Sequence, residues 1–587
     1  VPASADTLEA GRADAPQVAF VQADTAFYNL PAMEPGLSSA FATGVWSWDH
    51  AAILASGALT LGELVAEVPG LLVLLGGDYG TPIGLSAFGA GGGGVRVLRD
   101  GFEVFPLEGG MADLQRVGLV GVTHVRLERR GGETVIELTD YRYRDGRAFS
   151  LVEAGTGQLD TNAFRGTFAD PTALGGSVAL GLERVDTRGY GTDEGGNRTG
   201  GWLRYQLHWG GRMGLALDWR SMGSETQVLD YAGSVQRTDV ALRARVEVVP
   251  GLALEAYTGR SGHSVDDDRV EYAYEGGTRV QHGARVAASH AGFWARGALR
   301  LYPDDELSRR RADVSLGYER AGFGAAAHAS HAEWTGRAVL AYGVSGWVQP
   351  HAVLTLFGSL ESGEYGARSG PPMEADVDPT PPAAFPPPAP PGPTYDIATR
   401  SVSRAGISAS FEGATLAVAG LRSESDFDLP LRLELDRGAP ALPGAARTGV
   451  EAWAILPTRW RSLRLEGSYQ AWDRGGPYLP EQIYRGAFVF RRTFLESGNF
   501  ELWWTLGVRG HDPMQVFVPG AGPGDPGGLA PVPFYQSWYG RIQARILTVR
   551  LWFGWENFTV RRNLQHFPGR LLPVTRSFLG LQWDLWN

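Results

Sequence analysis

Three groupings of side chains have the residue types and spacing that chemistry would require. Asp266-Asp267-Asp268 follows His263 closely, and clustered carboxylates are what a hard cation such as calcium prefers. The run falls in a stretch, residues 261–278, that reads as a long loop, where acidic residues ordinarily form a solvated face. It is a weak cation candidate, and no other metal site is legible. Residues 89–94 are nearly all glycine. A phosphate cradle would need a lysine and a serine or threonine directly after them, but the chain continues Val95-Arg96-Val97, so the stretch reads as a structural loop. His328 and His331 lie three apart in a predicted strand. Successive strand residues point to opposite faces, so the two do not share a metal. No nucleophile–base pairing and no pair of catalytic carboxylates is recognisable. The reading is a protein that is not an enzyme and carries no cofactor.

Composition narrows the class. The chain has 587 residues, too many for one ordinary globular core. Its formal charge of −11 leaves no basic footprint for nucleic acid. It contains no cysteine, which excludes disulfides and thiolate metal sites. The longest apolar run, residues 51–62, ends at Glu63 and falls short of the roughly 18 residues that a membrane helix needs. Residues 1–15 are polar and acidic, so the chain is expected to be a mature one without a secretory leader.

From about residue 148 the sequence alternates. Leu203, Tyr205, Leu207 and Trp209 are separated by Arg204, Gln206 and His208. Val240, Leu242, Ala244, Val246 and Val248 are interleaved with Arg243, Arg245 and Glu247. Leu579, Leu581, Trp583 and Leu585 repeat the pattern at the end. A period of two is a strand with one apolar and one polar face. About 22 such strands can be counted. A soluble multi-sandwich protein would alternate equally well, so the joints decide. Short ones (Gly210-Gly211, Val249-Pro250, His290-Ala291, Gln349-Pro350, Glu412-Gly413, Leu547-Thr548) take turns with long ones (186–199, 223–235, 261–278, 303–310, 362–395, 424–445, 511–532, 560–572). Tight turns at one rim and long loops at the other describe a transmembrane barrel. The long joint that carries eleven prolines between Pro371 and Pro393 cannot pair in a sheet and is expected to be an external spacer.

The part before residue 148 has a different order of elements. Residues 59–70 read as a short helix that stops before Pro69-Gly70. A strand at residues 71–75 follows, then the glycine run, then Val97-Leu98-Arg99-Asp100-Gly101, a strand entering an Asp-Gly turn. Residues 122–131 alternate again and end at Arg129-Arg130-Gly131. This order resembles the plug domain of TonB-dependent receptors, and the end of the chain is similar too. Trp555-Glu556-Asn557-Phe558 resembles an element of that family's penultimate strand, and Pro568-Gly569-Arg570 one before its last strand. The resemblance implies an all-β transmembrane barrel of about 22 antiparallel strands with an N-terminal α+β plug inside its lumen. The expected division is an extension over 1–50, a plug over 51–145 and a barrel over 146–587. The motif residues are Val68, Pro69, Gly70, Asp100, Gly101, Arg129 and Gly131 in the plug, and Glu556, Asn557, Gly569 and Arg570 in the barrel. The chain also departs from the family. Phe88-Gly89-Ala90-Gly91 stands where an arginine-glycine pair is usual, and Thr123 and Arg126 stand where glutamates lock plug to barrel. No TonB box is legible, Val18-Ala19-Phe20-Val21 being the nearest apolar stretch.

The resemblance implies an outer-membrane receptor and transporter for a scarce nutrient in a Gram-negative-type bacterium. Its partners would be outer-membrane lipid, a TonB-type periplasmic protein and a small-molecule or glycan substrate. The competing reading is a plugged barrel that no longer transports and serves as a surface anchor or assembly platform for a protein partner. A third is a passive pore with a movable plug. Ligand-binding residues are not legible, and no nucleic acid is expected.

Overall fold

The structure is a computed structural model. It describes residues 28–586 apart from 34, 105–109, 144, 190–194, 229–230, 268–276, 304–307, 335–336, 370–393, 437–438, 461, 496 and 521–526. The proline-rich segment and Asp268 therefore lie outside the described residues.

Twenty-two strands, from Phe149–Gly157 to Arg576–Trp586, pair antiparallel in chain order. The last strand returns to the first, with Leu581 opposite Ala154, and the barrel closes. Tight turns occupy one rim. At Ala291-Gly292 (φ 50° and 89°) and Glu412-Gly413 (φ 50° and 82°) both residues are left-handed, the conformation that matches the twist of a two-residue hairpin. Three expected joints differ. Residues 223–228 and 231–235, expected within a long loop, are strand, because Met213–Val228 and Tyr231–Val249 stay paired to Val228 and Tyr231. The stretch expected as the loop 261–278 is strand on both sides, since Leu252–Asp267 and Gly277–His290 reach into it. Gln349-Pro350 lies inside Arg337–His351, where a register shift between Val348 and His351 tolerates a residue without an N–H.

The polarity of the wall is inverted relative to a soluble protein. Leu215, Leu217 and Trp219 are 38–46% exposed, whereas Ala216 and Asp218 between them are buried. Leu340, Tyr342 and Val344, and likewise Leu579, Leu581 and Trp583, face outward. Arg204, Arg243, Arg245, Glu255 and Arg285 face inward and are buried. Water would oppose an apolar exterior of this extent, whereas hydrocarbon favours it and also demands a closed sheet without free backbone groups. This pattern excludes the soluble sandwich. Among the described residues no helix is long and apolar enough to cross a membrane.

The N-terminal part supplies what fills the lumen. Its strands are β1 (Val45–Asp49), β2 (Leu71–Leu75), β3 (Ile83–Ala87), β4 (Val95–Arg99), β5 (Phe102–Glu103), β6 (Val122–Arg129) and β7 (Thr134–Asp140). Five of them form one sheet in the order β1-β6-β7-β4-β5, and β2 and β3 form a separate hairpin. β4 runs parallel to β7, with Val97 opposite Ile136. The helices are α1 (His50–Ser56) and α2 (Leu61–Val65). Thr60 accepts from the Glu63 N–H at 3.1 Å while the Glu63 carboxylate accepts from the Leu59 N–H at 2.7 Å, a reciprocal cap that starts α2. The helix is shorter than the expected one, which ran from Leu59 up to Pro69-Gly70; it ends at Val65. Pro69 cannot donate a helical hydrogen bond, and Gly70 turns away at φ 71°. Leu61, Leu64, Leu74, Leu85, Leu127, Ile136 and Leu138 form a dry core.

Residues 28–44 have no long regular element but are fastened at several points. Asn29 and Tyr143 exchange hydrogen bonds of 2.7 and 2.8 Å. The Ser38 N–H donates to Glu319 at 2.8 Å, and Arg404 donates to the Phe41 carbonyl at 2.8 Å.

The inverted wall generates a prediction. Val344→Arg, in the middle of Arg337–His351, should destabilise the barrel by about 2–4 kcal/mol when folded into liposomes. Ser345→Ala, on the lumen side of the same strand, should change it by less than about 1 kcal/mol. Equal effects from the two would contradict the assignment of faces.

Candidate functional site

The plug and the barrel wall meet through charge. On the plug, Asp100 follows β4 and Asp140 ends β7. From the wall, Arg204 reaches both, with its distance to Asp140 being 3.0 Å. Arg243 bonds Asp218 at 2.9 Å and donates to the Asp100 carbonyl at 2.7 Å. Gly101, at φ 81°, accepts from Tyr257 at 3.1 Å and from Arg300 at 3.3 Å. A Cβ at Gly101 would lie 2.1 Å from the Arg285 guanidinium, and the left-handed backbone of the turn favours glycine there. A second knot joins Arg96 to Glu103 at 3.2 Å, to Glu133 at 3.6 Å and to the wall residue Asp313 at 3.3 Å. Arg311 of the wall also holds Glu133, at 2.9 Å.

Burial alone would push these plug carboxylates up. The arginines outweigh it. Glu103 is held at about 2, chiefly by Arg96 and then by Arg300 and Arg311. Asp100 is held well below the usual carboxylate range, first by Arg204 and then by Arg245 and Arg243. Glu103 and Asp100 are thus ionised at neutral pH.

The plug motif residues converge on a third knot. Arg129, at the end of β6, donates to the Pro69 carbonyl at 2.6 Å and pairs with the wall residue Glu451 at 2.8 Å. Arg404 pairs with the same Glu451. Gly70 lies against Arg129, where a Cβ would stand 2.1 Å from a guanidinium nitrogen. The Gly131 N–H donates to Glu361 at 2.7 Å. Val68 belongs to the plug core. Asp100 and Gly101 sit apart from this knot, in the Arg204–Arg243 cluster.

The barrel motif residues lie elsewhere. Glu556 pairs with Arg576 at 3.3 Å and with Arg509 at 3.4 Å. Arg576 also reaches the plug residue Asp78 at 2.9 Å. Asn557, at φ 47°, donates to the Arg561 carbonyl at 2.8 Å, shaping a turn. Gly569 and Arg570 belong to a small hairpin outside the barrel sheet. His263 and Asp266 are not in a loop, because strand pairing continues through Asp267. Among the described residues no three histidines or carboxylates are placed to hold a metal ion.

Thr123 and Arg126 stand where the resemblance led one to expect locking glutamates. Thr123 bonds within the plug, to the Asp140 carbonyl at 3.1 Å, and Arg126 pairs with Glu128 at 3.0 Å. The lock is instead built mainly from plug carboxylates on barrel arginines, with Arg129–Glu451 as a pair of the opposite sense. Sequence reasoning missed Glu451, Glu361 and Asp313 as partners. Their place on the inward face was legible from alternation, but not what they would meet.

Above the plug, loops of the long-loop rim close over it. Leu431, Leu433 and Leu435, together with Tyr478, Val516, Phe517, Val532 and Phe567, share one buried apolar cluster with Leu72, Leu74 and Leu85 of the plug. Within this cap Asp436 is fully buried. Burial pushes its carboxyl up to about 6, against the pull of Tyr478, the Leu431 and Leu433 N–H groups and Arg432.

No family model matches the sequence, and no curated protein matches it. The fold does match solved structures. The siderophore receptor PirA from Acinetobacter baumannii aligns over 93% of this chain and 98% of its own, with a TM-score of 0.66 and 10% identity. The FrpB iron transporter from Neisseria meningitidis (F5-1 variant) aligns over 92% and 99%, with a TM-score of 0.66 and 10% identity. The copper transporter OprC aligns over 94% and 100%, with a TM-score of 0.68 and 11% identity. The chain has the plugged 22-strand barrel fold of TonB-dependent receptors.

Two predictions follow from this geometry. Glu451→Ala leaves Arg129 and Arg404 buried without their carboxylate, which should weaken plug docking by about 3–5 kcal/mol. Urea titration of plug release, read by protease cleavage between residues 51 and 145, would register the loss, and an unchanged midpoint would contradict the lock. The second concerns Asp436. Its folded value, about 6, lies above the unfolded one, so its stabilising contribution is complete in acid and is lost as pH rises through 6. Amide exchange of residues 429–439, corrected for intrinsic rates, should be slower relative to the barrel at pH 5 than at pH 7.5, and Asp436→Asn should abolish the difference.

Proposed function

We propose that the chain is an outer-membrane receptor and transporter that takes up a scarce nutrient and is opened by a TonB-type periplasmic partner. One observation carries this reading. The lumen is filled by a plug with its own sheet, whose seam with the wall is largely ionic and hydrogen-bonded. Apolar cores resist sliding because they are close-packed, whereas a polar seam re-forms with water when the plug shifts. Such a joint suits a stopper that must be displaced and returned. In this reading residues 51–145 are the plug, 146–587 the barrel and 1–50 an extension whose strand β1 completes the plug sheet. The motif residues Pro69, Gly70, Asp100, Gly101, Arg129 and Gly131 act as docking points of the plug, and Glu556 acts through Arg576.

The solved neighbours are named as siderophore, iron and copper proteins, which makes chelated metal the first substrate class to test. Residues 28–44 lie between the segment that a periplasmic partner would pull and the plug itself, so their hydrogen bonds to Glu319 and Arg404 would be among the first to break.

The test uses cells that lack the chain, complemented with wild type. Wild type should restore accumulation of radiolabelled metal chelates, and an uncoupler of the proton-motive force should abolish it. Accumulation that survives the uncoupler would indicate a passive pore and overturn the energised reading. In planar bilayers the intact chain should not conduct, and a variant lacking residues 51–145 should.

A further inference from the structure

The glycine run at residues 89–94 lacks the lysine and hydroxyl of a phosphate loop, and the structure gives it a defined occupant. A segment of the outer loop between Ala414–Ser425 and Ala446–Pro457 crosses it. The Gly92 N–H donates to the Pro430 carbonyl at 2.8 Å. A Cβ on Gly91 would stand 1.7 Å from the Leu429 carbonyl oxygen, so the loop backbone lies flush against that glycine. On the neighbouring hairpin, a Cβ on Gly84 would stand 2.8 Å from Leu431, and one on Gly76 would stand 2.8 Å from Leu435. The loop segment carries leucine at every second position, 429, 431, 433 and 435, and all four are buried. Bare glycines on one side and alternating leucines on the other are two halves of a fitted contact.

From outside, the loop's hold is completed by Asp436. It accepts from the Leu431 N–H at 2.5 Å, from the Leu433 N–H at 2.8 Å and from the Tyr478 hydroxyl of the next outer loop. These bonds pull residues 431–436 into a compact turn, so the segment is held as a unit. It covers the face of the plug that looks toward the long-loop rim, where a ligand arriving from outside would first touch the plug.

We propose that residues 429–435 are a resident tongue that occupies the plug's glycine cradle and keeps it closed, and that the cradle's ligand is a molecule presenting aliphatic groups and a carbonyl acceptor, which displaces the tongue. The tongue defines that chemistry. Together with Gly76 and Gly84 of the neighbouring hairpin the cradle receives branched aliphatic side chains, while the run itself meets backbone and supplies one N–H, from Gly92, to the Pro430 carbonyl. A contact of this kind discriminates by shape and by one hydrogen bond, and a competitor must reproduce both. The proposal rests on the receptor reading above, but its test involves no transport.

The absence of native cysteine makes a single introduced thiol a specific reporter. Leu433→Cys is placed in the purified full chain in detergent, alone or with Leu431→Asp or Gly91→Ala. Leu431→Asp expels the tongue and leaves the cradle intact. Gly91→Ala expels it by steric contact, at a position whose backbone is open to alanine, and also obstructs the cradle. Maleimide labelling of Cys at 433 should be at least tenfold faster in both double variants than in the single one, while Trp460→Cys, on an exposed turn at the other rim, should label at one rate in all backgrounds. The probe for the cradle is a labelled peptide spanning residues 429–435, blocked at both ends. Leu431→Asp should bind it at least tenfold more tightly than wild type, and Gly91→Ala should gain nothing. Labelling at 433 that is already fast in the wild-type background would overturn the tongue. Release of the tongue without a gain in peptide binding, or an equal gain in Gly91→Ala, would overturn the cradle. Failure of energised uptake in cells would count against the receptor reading and would leave both of these results standing.

Discussion

A backbone amide in hydrocarbon must find its partner within the protein, and most of this structure follows from that requirement. A sheet of 22 strands meets it only by closing. Closure turns the apolar residues of each alternating strand outward and the polar ones inward, which is why leucine and tryptophan are exposed here and arginine is buried. It also creates a lumen far too wide for side chains to fill. The N-terminal domain occupies that space, and its surface must satisfy a wall already committed to charge.

The ionic seam is therefore a consequence of closure. Plug carboxylates at Asp100, Glu133 and Asp140 meet arginines from the wall, and Arg129 pairs in the opposite sense with Glu451. Asp100, Glu133, Asp140 and Glu451 each pair with more than one arginine. Buried pairs add little net stability over apolar packing, but they are costly to break singly. The seam thus holds position firmly while remaining a kind of contact that water can replace when the plug moves as a body.

The two ends of the plug are treated differently. Toward the tight-turn rim, residues 28–44 are tied by hydrogen bonds to Glu319 and Arg404. Toward the long-loop rim, the contact is apolar and built around glycines. An apolar cap gains from excluding water and is indifferent to salt, whereas the polar ties respond to charge and to pull. The two ends thus differ in what loosens them, exclusion of water holding one and hydrogen bonds the other.

Alternation, joint lengths and the lack of an apolar helix were local properties, so the sequence by itself determined the barrel, its approximate strand number and which residues face the lumen. The Asp-Gly turn after β4 and the left-handed turn at Gly70 were legible for the same reason, since backbone conformation there depends on the residues themselves, whereas the end of α2 at Val65 was not. Partnership was not local. Arg129 and Glu451 are 322 positions apart, and only closure of the sheet and insertion of the plug bring them together. Strand length beyond the membrane was hidden as well, because pairing in residues 223–235 is sustained by neighbouring strands and not by an apolar pattern. The glycine run shows the division most clearly. Its composition announced a close approach by something, but only the tertiary structure decided that the something is the chain's own leucine segment, because a glycine records the absence of a side chain and carries no information about what fills the space.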